Sequence, residues 1–71
     1  MTKKFSGQRL REFRLMRGWS ITTLSRELYL AGLSAVGQTV SNWETGQTQI
    51  LFNNAIIVAD VIVVDLLDLT E

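Results

Sequence analysis

Apolar residues return at helical intervals along this chain, and residue types that start or stop a helix flank each run. Leu10, Phe13 and Met16 follow Ser6, and the run stops at Arg17-Gly18. Ile21, Leu24 and Leu28 stand at i, i+3 and i+7 behind Ser20 and give way to Ala31-Gly32-Leu33. There Gly32 can take the left-handed conformation that ends a helix, and Leu33 can fold back on it. Behind Ser34 come Val36, Val40 and Trp43, a third inward stripe. These spacings predict helices from Ser6 to about Arg17, over about 21–31 and over about 35–44, with residues 1–5 a flexible arm.

Between Ile50 and Val64, propensity and periodicity disagree. β-Branched residues dominate and favour a strand. Yet Phe52, Ala55, Ile56, Ala59 and Ile62 fall at i, i+3, i+4, i+7 and i+10, with Asn53, Asn54 and Asp60 opposite them and no two-residue alternation. The pattern predicts a fourth helix with those five apolar residues inward. Asp65 then caps a short last helix, Leu66 to Thr70. The expected fold class is all-α: five short helices in one domain over residues 1–71, without repeat, linker or low-complexity run.

The second and third helices, about residues 20–45, form the stretch that the rest serves. With Val36, Val40 and Trp43 inward, the third helix leaves Gln38, Thr39, Ser41 and Asn42 outside. Short hydrogen-bonding side chains on a helix held by a preceding one are suited to reading base edges in a major groove. Gln and Asn can bond adenine through two groups at once, and Thr can touch a thymine methyl. The alternative for these four residues is a solvated polar face. Ser20 and Thr22 begin the second helix, where free N–H groups attract anions, and are candidate phosphate contacts; Thr45 and Gln47 could touch the backbone on the other side.

Taken in order, the residues resemble the Cro/repressor-type (lambda-repressor-like) helix-turn-helix DNA-binding regulators of phages and bacteria. The resemblance rests on Leu10-Arg11-Glu12-Phe13-Arg14, Gly18-Trp19-Ser20, Leu24-Ser25 with Leu28, Gly32-Leu33-Ser34, Val40-Ser41-Asn42-Trp43-Glu44-Thr45-Gly46, and a tail of Ala59, Ile62, Val64-Asp65-Leu66. It covers about residues 7–69. It implies a five-helix DNA-binding domain with a central helix-turn-helix. It also implies an ion pair between Arg14 and Glu44 that links the first helix to the end of the third. The chain departs from the family in four ways. The interval from Leu28 to Val40 is longer, Val63 stands where a glycine is usual, Gly37 replaces a contacting side chain, and the recognition segment lacks Lys and Arg.

Composition narrows the function. The chain has no Cys and no His, which removes disulfides, thiolate nucleophiles, the usual zinc ligands and the commonest general base. No enzyme activity, cofactor, metal or small-molecule ligand is expected. Trp19 and Trp43 read as core rather than as a stacking platform. Gly32 and Gly37 lack the strand and the Gly-Lys-Ser/Thr of a phosphate loop.

Charge is segregated along the chain. Lys3, Lys4, Arg9, Arg11, Arg14, Arg17 and Arg26 precede residue 27 and are opposed there by Glu12 alone. Glu27, Glu44, Asp60, Asp65, Asp68 and Glu71 follow with no base among them. Such asymmetry suggests one surface for an anionic partner and another for something else. Lys3, Lys4 and Arg9 are expected to supply phosphate contact and non-specific attraction. No signal peptide is expected, since no apolar run follows the opening lysines. The tract from Ala55 to Leu69 is too short and too charged to span a bilayer. A cytoplasmic location is expected.

Ile57, Val58, Val61, Val63, Leu66, Leu67 and Leu69 exceed what one small core absorbs, so some should face a partner. Val61, Val63, Leu66 and Leu67 are the expected homodimer interface; the alternative is an apolar helix tucked under its own tail. The expected function is sequence-specific duplex-DNA binding by a homodimeric, phage- or prophage-type transcriptional repressor on a palindromic operator. The second reading is a protein-interaction module on the same fold, an antitoxin or adaptor, favoured by the lack of Lys or Arg in residues 27–71.

Overall fold

The computed structural model describes residues 4–71. It contains four α-helices, α1 (Gly7–Met16), α2 (Ile21–Leu30), α3 (Gly37–Thr45) and α4 (Phe52–Ile62), and closes with a single 3-10 turn, Leu66–Leu69. The fold is all-helical, but the fifth element is this 3-10 turn rather than a fifth α-helix. A reciprocal cap holds it: the Asp65 carboxylate accepts from the Asp68 amide, and the Asp68 carboxylate accepts from the Asp65 amide at 3.2 Å.

Local chemistry accounts for the helix ends. Ser6 caps α1, its hydroxyl oxygen accepting from the Arg9 amide at 3.2 Å, and Ser20 caps α2 through the Thr23 amide at 3.1 Å. All four helices finish in one motif, a left-handed residue followed by an amide that returns to a carbonyl in the last turn. The returning bonds are Trp19 to Arg14 (3.1 Å), Leu33 to Leu28 (2.8 Å), Gln47 to Asn42 (2.9 Å) and Val64 to Ala59 (3.0 Å). Gly18, Gly32 and Gly46 hold the left-handed position in the first three, and Val63, at φ 65°, holds it in α4.

One core joins the elements. Leu10, Leu24, Leu28, Val40, Val58, Ile62 and Leu69 are fully buried, so every helix and the closing turn contribute. The inward stripe of α4 differs from the expected one. Phe52 is 68% exposed and Ile56 46%, while Ala55, Val58, Ala59 and Ile62 face the core. Both stripes satisfy helical spacing, and the chosen one sets small Ala55 and Ala59 beside Val58 where α4 meets α2 and the closing turn. Met16 points outward because steps of three residues fall short of whole turns, so Leu10 and Arg14 form the buried edge of α1.

Lys4–Ser6 is zipped to Leu69–Glu71. The Ser6 amide donates to the Leu69 carbonyl at 2.6 Å, the Glu71 amide donates to Lys4 at 2.9 Å, and Phe5 and Thr70 form an antiparallel bridge. Phe5 also packs on the core. The flexible arm expected through residue 5 therefore does not include Lys4 or Phe5. Among the described residues, no helix is long and apolar enough to cross a membrane.

Candidate functional site

The position of α3 is set by its joint with α1. Arg14 Nε donates to Glu44 Oε2 at 2.7 Å, Arg14 Nη2 donates to Glu44 Oε1 at 3.0 Å, and Arg14 Nη1 donates to the Trp19 carbonyl at 2.8 Å. Both side chains are buried. One guanidinium thus ties α1, the α1–α2 connection and the end of α3. The hydrogen bond to Glu44 raises the Arg14 pKa above its ordinary value, with charge attraction adding and burial opposing. On the same side, the first turn of α1 lies directly on the last carbonyls of α3, a contact possible only because residue 7 has no side chain.

The segment between α2 and α3 differs from its sequence expectation. Ala35 enters the core, and the Ser25 hydroxyl donates to its carbonyl. That pins the chain in an extended path through Val36, which becomes the residue before the helix, at φ −70° and ψ 164°. α3 consequently starts at Gly37, not near residue 35. Ser34 lies too far upstream to cap it, and Val36 is 64% exposed instead of inward. No side chain caps the N-terminus of α3, so its first amides face outward with the positive end of the helix dipole.

On the outer side of α3, Gln38 is exposed and Thr39, Ser41 and Asn42 are half-buried. Gln38 Nε2 donates to Asn42 Oδ1 at 2.9 Å across one turn. The linked amides then present a free carbonyl oxygen, Gln38 Oε1, beside a free N–H, Asn42 Nδ2. Reversing both amides leaves the same pair of one acceptor and one donor. An acceptor beside a donor complements the N6 and N7 edge of adenine.

The expected phosphate contacts separate into groups. Ser20 accepts from the Thr23 amide and is hydrogen-bonded to the Thr23 hydroxyl at 3.0 Å, while helical geometry leaves the Ile21 and Thr22 amides without intrahelical partners. Thr22 is exposed. The Thr45 hydroxyl donates back to the Ser41 carbonyl at 3.1 Å, so it offers a ligand only its oxygen. Gln47 is exposed in the polar loop after α3. Lys3 lies outside the described residues.

Four of the described bases have different neighbours. Lys4 lines a groove with Gln49 and Phe52, Arg9 shares one with Glu12 and Glu71, and Arg17 Nη2 donates to the Val63 carbonyl at 3.4 Å. Arg26 is the cation beside the entry to α3, in a groove with Thr22, Ser34 and Val36. It was not among the residues expected from sequence, although Thr22 and Arg26 stand at i and i+4 and so share a face of α2.

Of the expected dimer residues, Val61 and Leu66 are half-buried against the core, and Val63 and Leu67 are exposed. No family model, curated protein or solved structure matches the chain.

Proposed function

We propose that this chain is a sequence-specific duplex-DNA-binding regulator. α2 and α3 act as a helix-turn-helix in a lambda-repressor-like domain, and a homodimer occupies a palindromic site in the cytoplasm and represses transcription by steric exclusion. The observation that carries the proposal is the Gln38–Asn42 amide pair. It stands on the outer side of a helix whose position is fixed from behind by a buried, bidentate ion pair. A base edge is read by donors and acceptors held in register, and a positioned helix with preformed amides meets that need. The amides at the start of α2, with Thr22 and Arg26 beside them, would bind phosphate and set the orientation of α3. No step of covalent chemistry is involved.

The lack of Lys or Arg in residues 27–71 favours a second reading, a protein-interaction module on the same fold. Selection of bound duplexes from a random pool at physiological salt separates the two. An enriched motif with A·T pairs under α3 is the expected result, and recovery of the unselected pool would overturn the DNA reading.

A further inference from the structure

We infer that the outward face of α4 is the contact with a second copy of this chain, packed antiparallel about a two-fold axis. This deepens the homodimer part of the proposed function and rests on it. Phe52 and Ile56 stand one turn apart on that face, 68% and 46% exposed, and Asp60 continues the row. A solvated helix face would carry polar residues there. A groove adjoins each end of this row. One, at the Phe52 end, is lined by Lys4, Gln49, Phe52 and Leu66, and the other, at the Asp60 end, by Ala31, Ile56, Ile57, Asp60 and Leu66. Leu66 lines both, so the two grooves meet at one apolar residue, with Asn53 and the Asp60 and Asp65 carboxylates bordering the apolar row.

The ends of this surface differ in charge. Lys4 stands at the Phe52 end, and Asp60 and Asp65 stand at the other. Phe52 and Asp60 are eight residues apart in α4, which separates the ends by about 12 Å. Antiparallel packing of two copies sets the apolar row of each in a groove of the other and brings Lys4 of one chain to Asp60 of its partner, twice. Parallel packing would set like charges together. A partner of uniform charge would oppose one end. The face is therefore complementary to itself. A small interface buries about 600 Å² per chain, roughly an eighth of this chain's 4791 Å² surface, and two apolar residues with an ion pair at each end match that lower class. The dimer should accordingly dissociate on dilution.

The experiment is sedimentation equilibrium without DNA, so that its outcome does not depend on DNA recognition. The wild-type chain should show a concentration-dependent dimer. Phe52→Asp and Ile56→Asp should each weaken it at least tenfold while leaving the helical circular dichroism unchanged. Lys4→Glu and Asp60→Lys should each weaken it alone, and an equimolar mixture of the two variants should recover it. In the mixed dimer, the new carboxylate of one chain meets the new ammonium of the other, and one native pair persists. Asp60 is the residue to change because the Asp65 carboxylate holds the closing turn. A wild-type chain that stays monomeric at its solubility limit would overturn the inference and leave the face to a different protein. Dimers indifferent to Phe52→Asp and Ile56→Asp would overturn the choice of face. A mixture no better associated than its components would overturn the antiparallel register. A monomer that still enriches a DNA motif would sink this inference and spare the DNA reading.

Discussion

A Cβ on Gly7 would stand 2.0 Å from the carbonyl oxygen of Trp43 and 2.7 Å from that of Glu44. Both atoms are backbone, so no rotamer change can relieve the clash. Gly7→Ala must push the first turn of α1 away from α3, which also strains the Arg14–Glu44 pair behind it. The expected cost is about 2–3 kcal/mol, the upper part of the range for overpacking. Thermal unfolding followed by circular dichroism checks it, and a Gly7→Ala chain as stable as wild type would contradict the packing of α1 on α3.

Arg14 and Glu44 should behave as one unit. Arg14→Ala or Glu44→Ala leaves a buried charge unpaired, with an expected loss of about 3–5 kcal/mol each, and the double variant should cost less than the sum. Arg14→Lys should rescue little, because an ammonium cannot bond both Glu44 oxygens and the Trp19 carbonyl with the same planar geometry. Folding raises the Arg14 pKa. Its contribution is therefore complete below the unfolded-state value and is lost only as pH rises through the folded one, far into alkali. Denaturant titrations around neutral pH should find the Arg14→Ala deficit constant.

Val63 is the one non-glycine residue at positive φ among those described, and it is 71% exposed. A β-branched side chain in that region costs on the order of 1–3 kcal/mol, while the added flexibility of glycine in the unfolded chain costs about 0.5–1 kcal/mol. Val63→Gly should therefore raise stability by about 1 kcal/mol, read as a higher midpoint in urea. A fall in the midpoint would mean that the valine side chain holds the end of α4 in some way its exposure conceals.

Elements with strong local signals were legible in the sequence: Ser6 and Ser20 as caps, Gly32 as the left-handed stop of α2, and Leu24, Leu28, Val40 and Trp43 as core. What was not legible depended on contacts distant in sequence. Ser34 has the composition of a cap, but burial of Ala35 and the bond from Ser25 delay α3 by two residues. Phe52 and Ile56 match helical period as well as Val58 does, and only packing against α2 and the closing turn selects the face. Gly7 gives no sequence signal, since its role exists only where α3 arrives. Arg14 and Glu44 lie 30 residues apart, and only the family resemblance joined them in advance.

DNA recognition should divide the candidate residues by the kind of loss each causes. Gln38→Ala removes one half of the amide pair and should cost about 1–3 kcal/mol on the selected site, relaxing preference at one or two positions. Asn42→Ala should do nearly the same, and the double variant should cost less than the sum, because each amide orients the other. Arg26→Ala should weaken every sequence about equally and lower the salt slope by about 1, as expected for a phosphate contact beside the entry to α3. Arg14 is committed to Glu44, and α3 itself carries no Lys or Arg to meet phosphate. The overall slope should thus be shallower than that of a strongly basic repressor. Fluorescence anisotropy titrations on selected and scrambled duplexes over a range of salt read all of these effects. Equal affinity for the two duplexes would remove α3 as a reading element, and Gln38 and Asn42 would then be no more than a solvated pair on a helix turn.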